Sequence, residues 1–204
     1  DSMVQAIARK VKYESTSEDP ASSKTLTVKA TSINGSNGAE QTGTATSTIN
    51  FTKTNDAPTI TSGSSASVNE NLVNTTVVYD ANASDVDASD TLTFSISGTD
   101  ASSFNLDTDD GEVRLKTSAD YETKSSYSFN ITVTDNGAGT LSSSKAITLN
   151  INDLNDPPVI SSAGTGSIAE NAATSTVAYD AASSDPDSGD TITFSLGGTD
   201  AALF

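Results

Sequence analysis

Apolar and polar side chains alternate one by one over several stretches of this chain. Leu92, Phe94 and Ile96 alternate with Thr91, Thr93, Ser95 and Ser97. Tyr127, Phe129, Ile131 and Val133 alternate with Ser128, Asn130, Thr132 and Thr134, and Ile147, Leu149 and Ile151 with Thr148, Asn150 and Asn152. A period of two puts all apolar groups on one face of an extended strand, so each stretch predicts a half-buried β-strand. Phe104-Asn-Leu106 and Val113-Arg-Leu115 flank an Asp- and Gly-rich run over 107–111, which predicts a hairpin. No segment of twelve or more residues keeps a period of 3.6. The pattern predicts an all-β protein with about seven strands per hundred residues, folded as a sandwich.

The pattern also repeats. Residues 55–104 match residues 155–204 at 26 of 50 positions without a gap. Asn55-Asp56 returns as Asn155-Asp156, Pro58 as Pro158, Glu70-Asn71 as Glu170-Asn171, and Tyr79-Asp80 as Tyr179-Asp180. Asp85, Asp87 and Asp90 return as Asp185, Asp187 and Asp190. A period of this length predicts modules stacked in series. Residues 1–56 read as the end of a first module, 57–156 as a complete second and 157–204 as the front half of a third. The chain therefore reads as a stretch of a longer array.

Charge narrows the function. The 204 residues include 27 acidic and 10 basic side chains, for a net charge of −17. Nucleic acids and anionic membrane surfaces call for a positive footprint, which this composition does not offer. There is no Cys, so no disulfide framework, thiolate zinc site or Cys nucleophile. There is no His, the usual general base near neutral pH. An enzyme ranks a distant third behind a structural spacer and a binding module. No apolar run approaches the ~20 residues needed to cross a bilayer, so direct membrane insertion is not expected.

The carboxylates gather at strand ends and between modules, where loops meet at the poles of a sandwich. Oxygen-rich loops suit calcium, a hard cation that takes six to eight oxygen ligands, better than magnesium, which insists on octahedral geometry. Asp85-Val-Asp87-Ala-Ser-Asp90 opens like an EF-hand loop, but it lacks Gly at the sixth position and has Ile96 where the closing Glu belongs.

The order Glu70, Asp120-Tyr-Glu122, Asp135 and Asp153-Leu-Asn155-Asp156, followed by Asp185-Pro-Asp187, resembles the cadherin repeat. The Ser/Thr-rich, Lys-poor style resembles the cadherin-like repeats of large bacterial (RTX-type) surface adhesins. The resemblance implies tandem Greek-key β-sandwiches of the cadherin/immunoglobulin-like kind, about 100 residues each, with Ca²⁺ between neighbouring repeats. It implies ligands Glu70, Asp120, Glu122, Asp153, Asn155, Asp156, Asp185, Asp187 and Asp190 at the second junction, with the Leu154 carbonyl as an extra. At the first junction it implies Asn55, Asp56, Asp85, Asp87, Asp90 and Asp135. There Lys53 stands at the position of Asp153, and Glu18 and Asp19 match the upper carboxylates loosely, so fewer ions are expected.

Plainer readings hold elsewhere. Asp107, Asp109 and Asp110 read as turn formers in a hairpin tip, and Asp80, Asp100 and Asp200 as strand-end residues. Thr42, Thr44, Thr46 and Thr48 read as the wetted face of a strand. The expected role is a calcium-stiffened extender of a secreted or cell-surface adhesin, its partners being calcium and neighbouring repeats. Surface glycans or proteins would be bound by distal domains. The rival is a module that itself recognises a carbohydrate, a peptide or another copy. Few aromatics favour the extender, since recognition surfaces are rich in Tyr, Trp and Arg.

Overall fold

The computed structural model describes residues 21–33 and 35–204. All regular structure in them is β apart from two short 3-10 turns, at Ala101–Ser103 and Ala201–Leu203.

Residues 21–52 carry one ribbon, β1 (Ser23–Ile33) paired antiparallel with β2 (Glu40–Asn50). The register sets Thr25, Thr27 and Thr31 opposite Thr48, Thr46 and Thr42, so the alternating threonines share one exposed face. Thr31 and Thr42 are joined through their hydroxyls at 3.1 Å.

The packed sandwich lies between residues 59 and 152. One sheet has the order β4 (Ser65–Asn69), β11 (Ser142–Asn152), β10 (Ser126–Thr134), β7 (Thr93–Ser97). Its neighbours are antiparallel except β4 and β11, which run parallel. The other sheet has the order β5 (Val77–Asp80), β9 (Glu112–Leu115), β8 (Phe104–Leu106). A short antiparallel pair, β3 (Thr59–Ile60) and β6 (Ala83–Ser84), stands as a two-stranded sheet of its own. The alternating residues named above point inward: Phe129, Ile131, Val133, Ile147, Leu149 and Ile151 are buried, and Phe94, Phe104, Val113, Leu115 and Tyr79 meet them. The Phe104 and Phe129 rings lie 4.6 Å apart, and Tyr79 meets Phe129 edge-on at 6.0 Å.

The structure splits the opening strand, a detail the alternation did not predict. β3 pairs with β6 and β4 with β11, so the chain changes pairing partner across residues 61–64. The corner is held by the Tyr79 hydroxyl, which donates to the Gly63 carbonyl at 2.6 Å and shares a hydrogen bond with the Ser62 hydroxyl at 2.8 Å. Corners where a strand switches sheets are a regular feature of packed sheets. The hairpin turn over 107–111 is as expected, with Asp107 Oδ1 accepting from the Asp109 and Asp110 amides. Gly111 has φ +78°, and a Cβ there would collide with the Ala81 carbonyl, so glycine is required at this point.

Residues 157–204 repeat the opening features. β12 (Val159–Ile160) pairs with β13 (Ser183–Ser184) as β3 pairs with β6, and Tyr179 meets the Ser162 hydroxyl at 2.6 Å. Phe194 and Tyr179 are 57% and 46% exposed, whereas Phe94 and Tyr79, their repeat counterparts, are 6% exposed against β10 and β11.

Candidate metal centre

Glu70 anchors the second acidic group. β4 ends at Asn69 and the next residue turns inward, leaving Glu70 only 1% exposed. Its Oε2 accepts from the Tyr121 amide at 2.7 Å and its Oε1 from the Leu154 amide at 2.8 Å. One buried carboxylate thus clasps the loop over 119–125 and the linker that follows β11. A buried charge is tolerable only when it is hydrogen-bonded or paired. The following residue, Asn71, has φ +60°, a region Asn enters more readily than most side chains. In that pose its side-chain amide donates to Asp156 Oδ1 at 3.2 Å.

Around this clasp three carboxylate groups assemble, each with ligand oxygens within 4.8 Å of one another. They are Glu70 with Glu122 and Asp156, Glu122 with Asp153 and Asp187, and Asp185 with Asp187 and Asp190. The middle group spans the linker, with Glu122 before it, Asp153 within it and Asp187 after it. Asp187 Oδ2 also accepts from the Asp156 amide at 2.6 Å, which ties the linker to the following segment. Crowding is visible in the ionisation. Burial, then the charges of Asp187 and Glu70, hold the Asp153 carboxyl above its usual range. Glu122 has a lowering backbone hydrogen bond, but burial and the charges of Glu70, Asp153 and Asp187 outweigh it and raise its pKa.

A second acidic pole lies at the other end of the sandwich, where Asp85, Asp90 and Asp135 bring their oxygens within 4.8 Å of one another. Asp135 is 4% exposed. Its Oδ1 accepts from the Gly137 and Leu141 amides at 3.0 and 3.1 Å, and its Oδ2 accepts from the Asn55 side-chain amide at 3.1 Å. Asp56 donates its amide to Asp87 Oδ2 at 2.8 Å, the arrangement that Asp156 and Asp187 repeat. Asp90 is raised by burial and by the charges of Asp87, Asp135 and Asp85.

These residues fit a hard divalent cation. The donors are all oxygen. Asp85 Oδ2 and Asp90 Oδ2 are buried without a hydrogen-bond partner, an arrangement that costs free energy unless something positive approaches them. The loop at Gly137 packs closely on the pole, and a Cβ there would displace the Asn55 and Asp90 side-chain oxygens.

Of the expected ligands, Asp56, Asp87 and Asp120 fall outside the four carboxylate groups, and Asn155 turns away. The Asp120 carboxylate is taken up locally: it accepts from the Thr123 amide at 3.0 Å and the Thr123 hydroxyl at 2.9 Å, and the same bonds hold its pKa down. The Asn155 side chain turns back on the Asp156 carbonyl at 3.2 Å. Glu18 and Asp19 lie outside the described residues. The alternation did not reveal the Asp100–Lys124 pair, at 2.5 Å, in which Asp100 Oδ2 also accepts from the Ser128 amide. No helix among the described residues is long and apolar enough to cross a membrane.

Fold and site define an all-β, cadherin-like sandwich with acidic poles. Residues 64–152 match the family model of the cadherin domain. The chain is 38% identical over 129 residues to protocadherin alpha-2 of Pan troglodytes, covering 59% of this chain and 14% of that protein. It is 34% identical over 118 residues to protocadherin Fat 4 of Homo sapiens, covering 56% of this chain and 2% of that protein. The chain thus spans a small part of the relatives it matches. Among solved structures it is similar to human CDH23 EC21-23, with TM-score 0.64, 20% identity, and coverage of 87% of this chain and 63% of that one. It is also similar to human protocadherin-24 EC1-2, with TM-score 0.51, 28% identity, and coverage of 66% and 62%. These relatives are animal cadherins and protocadherins, and none of them points to a bacterial RTX-type adhesin.

Proposed function

We propose that this chain is a calcium-stiffened stretch of an extracellular adhesion array. Its units are residues 1–56, 57–156 and 157–204, and Ca²⁺ held between units fixes their relative orientation. The observation that carries the reading is the group of Glu122, Asp153 and Asp187, in which carboxylates from both sides of the linker meet within 4.8 Å. Like charges about 4 Å apart cost on the order of 1–4 kcal/mol per pair, depending on the local dielectric, and a divalent ion among them reverses the sign. The ligands read here are Glu70, Glu122, Asp153, Asn155, Asp156, Asp185, Asp187 and Asp190 at the second junction. Asn55, Asp56, Asp85, Asp87, Asp90 and Asp135 serve the first, and Asp120 contributes through the turn it closes. Extracellular calcium modules work at roughly 10⁻⁴–10⁻³ M, which sets the range to titrate. Calcium in that range is expected to raise the melting temperature and lengthen the particle in X-ray scattering, and absence of both effects sinks the reading.

The likeness to cadherin domains supports an adhesive rather than a catalytic role, and a cell-surface or secreted setting. A self-recognising module is the second reading, supported by one similar solved structure, which is described as a protocadherin gammaB7 cis-dimer. Sedimentation across a concentration series with calcium present separates the two, because an extender stays monomeric. A glycan array screened with the same chain is expected to stay blank, and a reproducible hit would turn the reading toward carbohydrate recognition.

A further inference from the structure

We infer that Asn136-Gly137 is a self-modifying site: the asparagine side chain loses ammonia to the following main-chain nitrogen, and the fold gates that reaction by holding both reacting groups. The inference goes beyond the reading above and stands whether or not an ion is bound.

Asparagine before glycine is open to this chemistry because glycine has no Cβ to keep its nitrogen away from the preceding side chain. Asn136 and Gly137 lie in the loop between β10 and β11, and Asn136 is exposed, so water reaches it. The step balances with water as the sole co-reactant. The Gly137 nitrogen bonds to Asn136 Cγ, the Cγ–Nδ2 bond breaks, and Nδ2 departs as ammonia with the proton that Gly137 gives up. Water then opens the cyclic imide. Attack at Cγ leaves aspartate. Attack at the main-chain carbonyl leaves isoaspartate, whose backbone is longer by the side-chain methylene.

In the folded loop both reacting groups are engaged. Asn136 Oδ1 accepts from the Thr91 amide at 2.8 Å, and the Gly137 amide donates to Asp135 Oδ1 at 3.0 Å. Ring closure turns the Asn136 amide onto the Gly137 nitrogen and takes that nitrogen's proton, so both bonds open first. The loop resists opening. Thr140 donates to the Gly137 carbonyl at 3.1 Å, Leu141 donates to the same Asp135 oxygen, and Gly137 sits against Asn55 and Asp90. Reaction therefore waits on local opening of the loop. The chain carries its own comparison in Asn37-Gly38, in the exposed turn between β1 and β2. There Asn37 Oδ1 accepts from the Ala39 amide at 3.1 Å, a contact inside the turn itself. Isoaspartate at 136 would carry Gly137 away from Asp135 and press it on Asn55 and Asp90, so the modification is a one-way loosening of this end of the sandwich.

The intact chain, incubated in chelator at one fixed pH with and without denaturant, is digested and its peptides weighed by mass spectrometry. Asn37 is expected to convert at similar rates in both. Asn136 is expected to convert about tenfold or more slowly in the native chain, its rate rising with hydrogen exchange of the Gly137 amide as denaturant is added. The isoaspartate form, detected with an isoaspartyl methyltransferase and separated by charge, is expected to melt below Asn136→Asp, which has the same charge on an ordinary backbone. Asn136 that stays intact in denaturant overturns the site. Equal rates at Asn136 in both conditions, or an equal native lag at Asn37, overturn the gate. An isoaspartate form that melts with Asn136→Asp overturns the loosening.

Discussion

At the scale of single residues, the acidic side chains divide by what they touch. Glu70 accepts from two backbone amides and Asp120 from its own turn, so both have structural duties independent of any ion. Glu70→Gln puts an NH2 group against one of two buried amide donors. The expected cost is about 1–3 kcal/mol of stability even with calcium chelated. Denaturant unfolding in chelator reads it directly, and an unchanged midpoint would reduce Glu70 to an ion ligand only. Asp100 offers a second case. Its hydrogen bonds to Lys124 and Ser128 hold its pKa below the ordinary value. A folded pKa lower than the unfolded one contributes stability above about pH 3.9 and loses it as the pH falls through the folded value. Asp100→Asn should therefore be less stable than the parent at neutral pH, by about 1–2 kcal/mol. The two should converge as acid titrates the parent, which melting curves from pH 7 to pH 2 will show. Neither duty was legible in the sequence. Asp100 and Lys124 are 24 positions apart, and only the fold makes them neighbours.

At the scale of elements, alternation revealed most of the sandwich because its sheets each have one wet face. Tyr127 to Thr134 and Ile147 to Asn152 carry the signal cleanly, and both became long central strands. Strand breaks were not legible, since the corner between β3 and β4 is held by the Tyr79 hydroxyl reaching Ser62 and Gly63 from 17 and 16 positions away. Lys145 hid for a related reason. It shares the inward parity of Ile147 and Leu149, yet its ammonium emerges at the sheet edge to donate to the Ile60 and Ser62 carbonyls at 3.0 and 2.6 Å. A long apolar stem with a polar tip satisfies both environments. Leu149, fully buried on β11 opposite Tyr127, tests the core. Leu149→Ala should cost about 2–5 kcal/mol. Calcium should recover only part of that loss, because an ion at the pole does not refill a cavity between the sheets.

At the scale of the whole molecule, the question is how repeated sandwiches hold a direction. Recurrence at one hundred residues marked the acidic groups, since a turn former recurs without regard to its neighbours while a ligand set recurs in order. It did not show that Asp120 is engaged by its own turn, because that depends on side-chain direction. The joint itself has a decisive substitution. Asp153 meets Glu122 and Asp187 across the linker, and burial, then the charges of Asp187 and Glu70, raise its pKa. Asp153→Lys copies the first junction's residue onto the second. The lysine relieves repulsion when metal is absent, so the variant should be no less stable than the parent in chelator. With calcium present the same lysine opposes the shared ion, and the particle should fail to lengthen while the pole of Asp85, Asp90 and Asp135 still binds. Scattering and calorimetry on the same sample separate these effects. A variant that lengthens as the parent does would show that the joint is fixed by packing rather than by an ion.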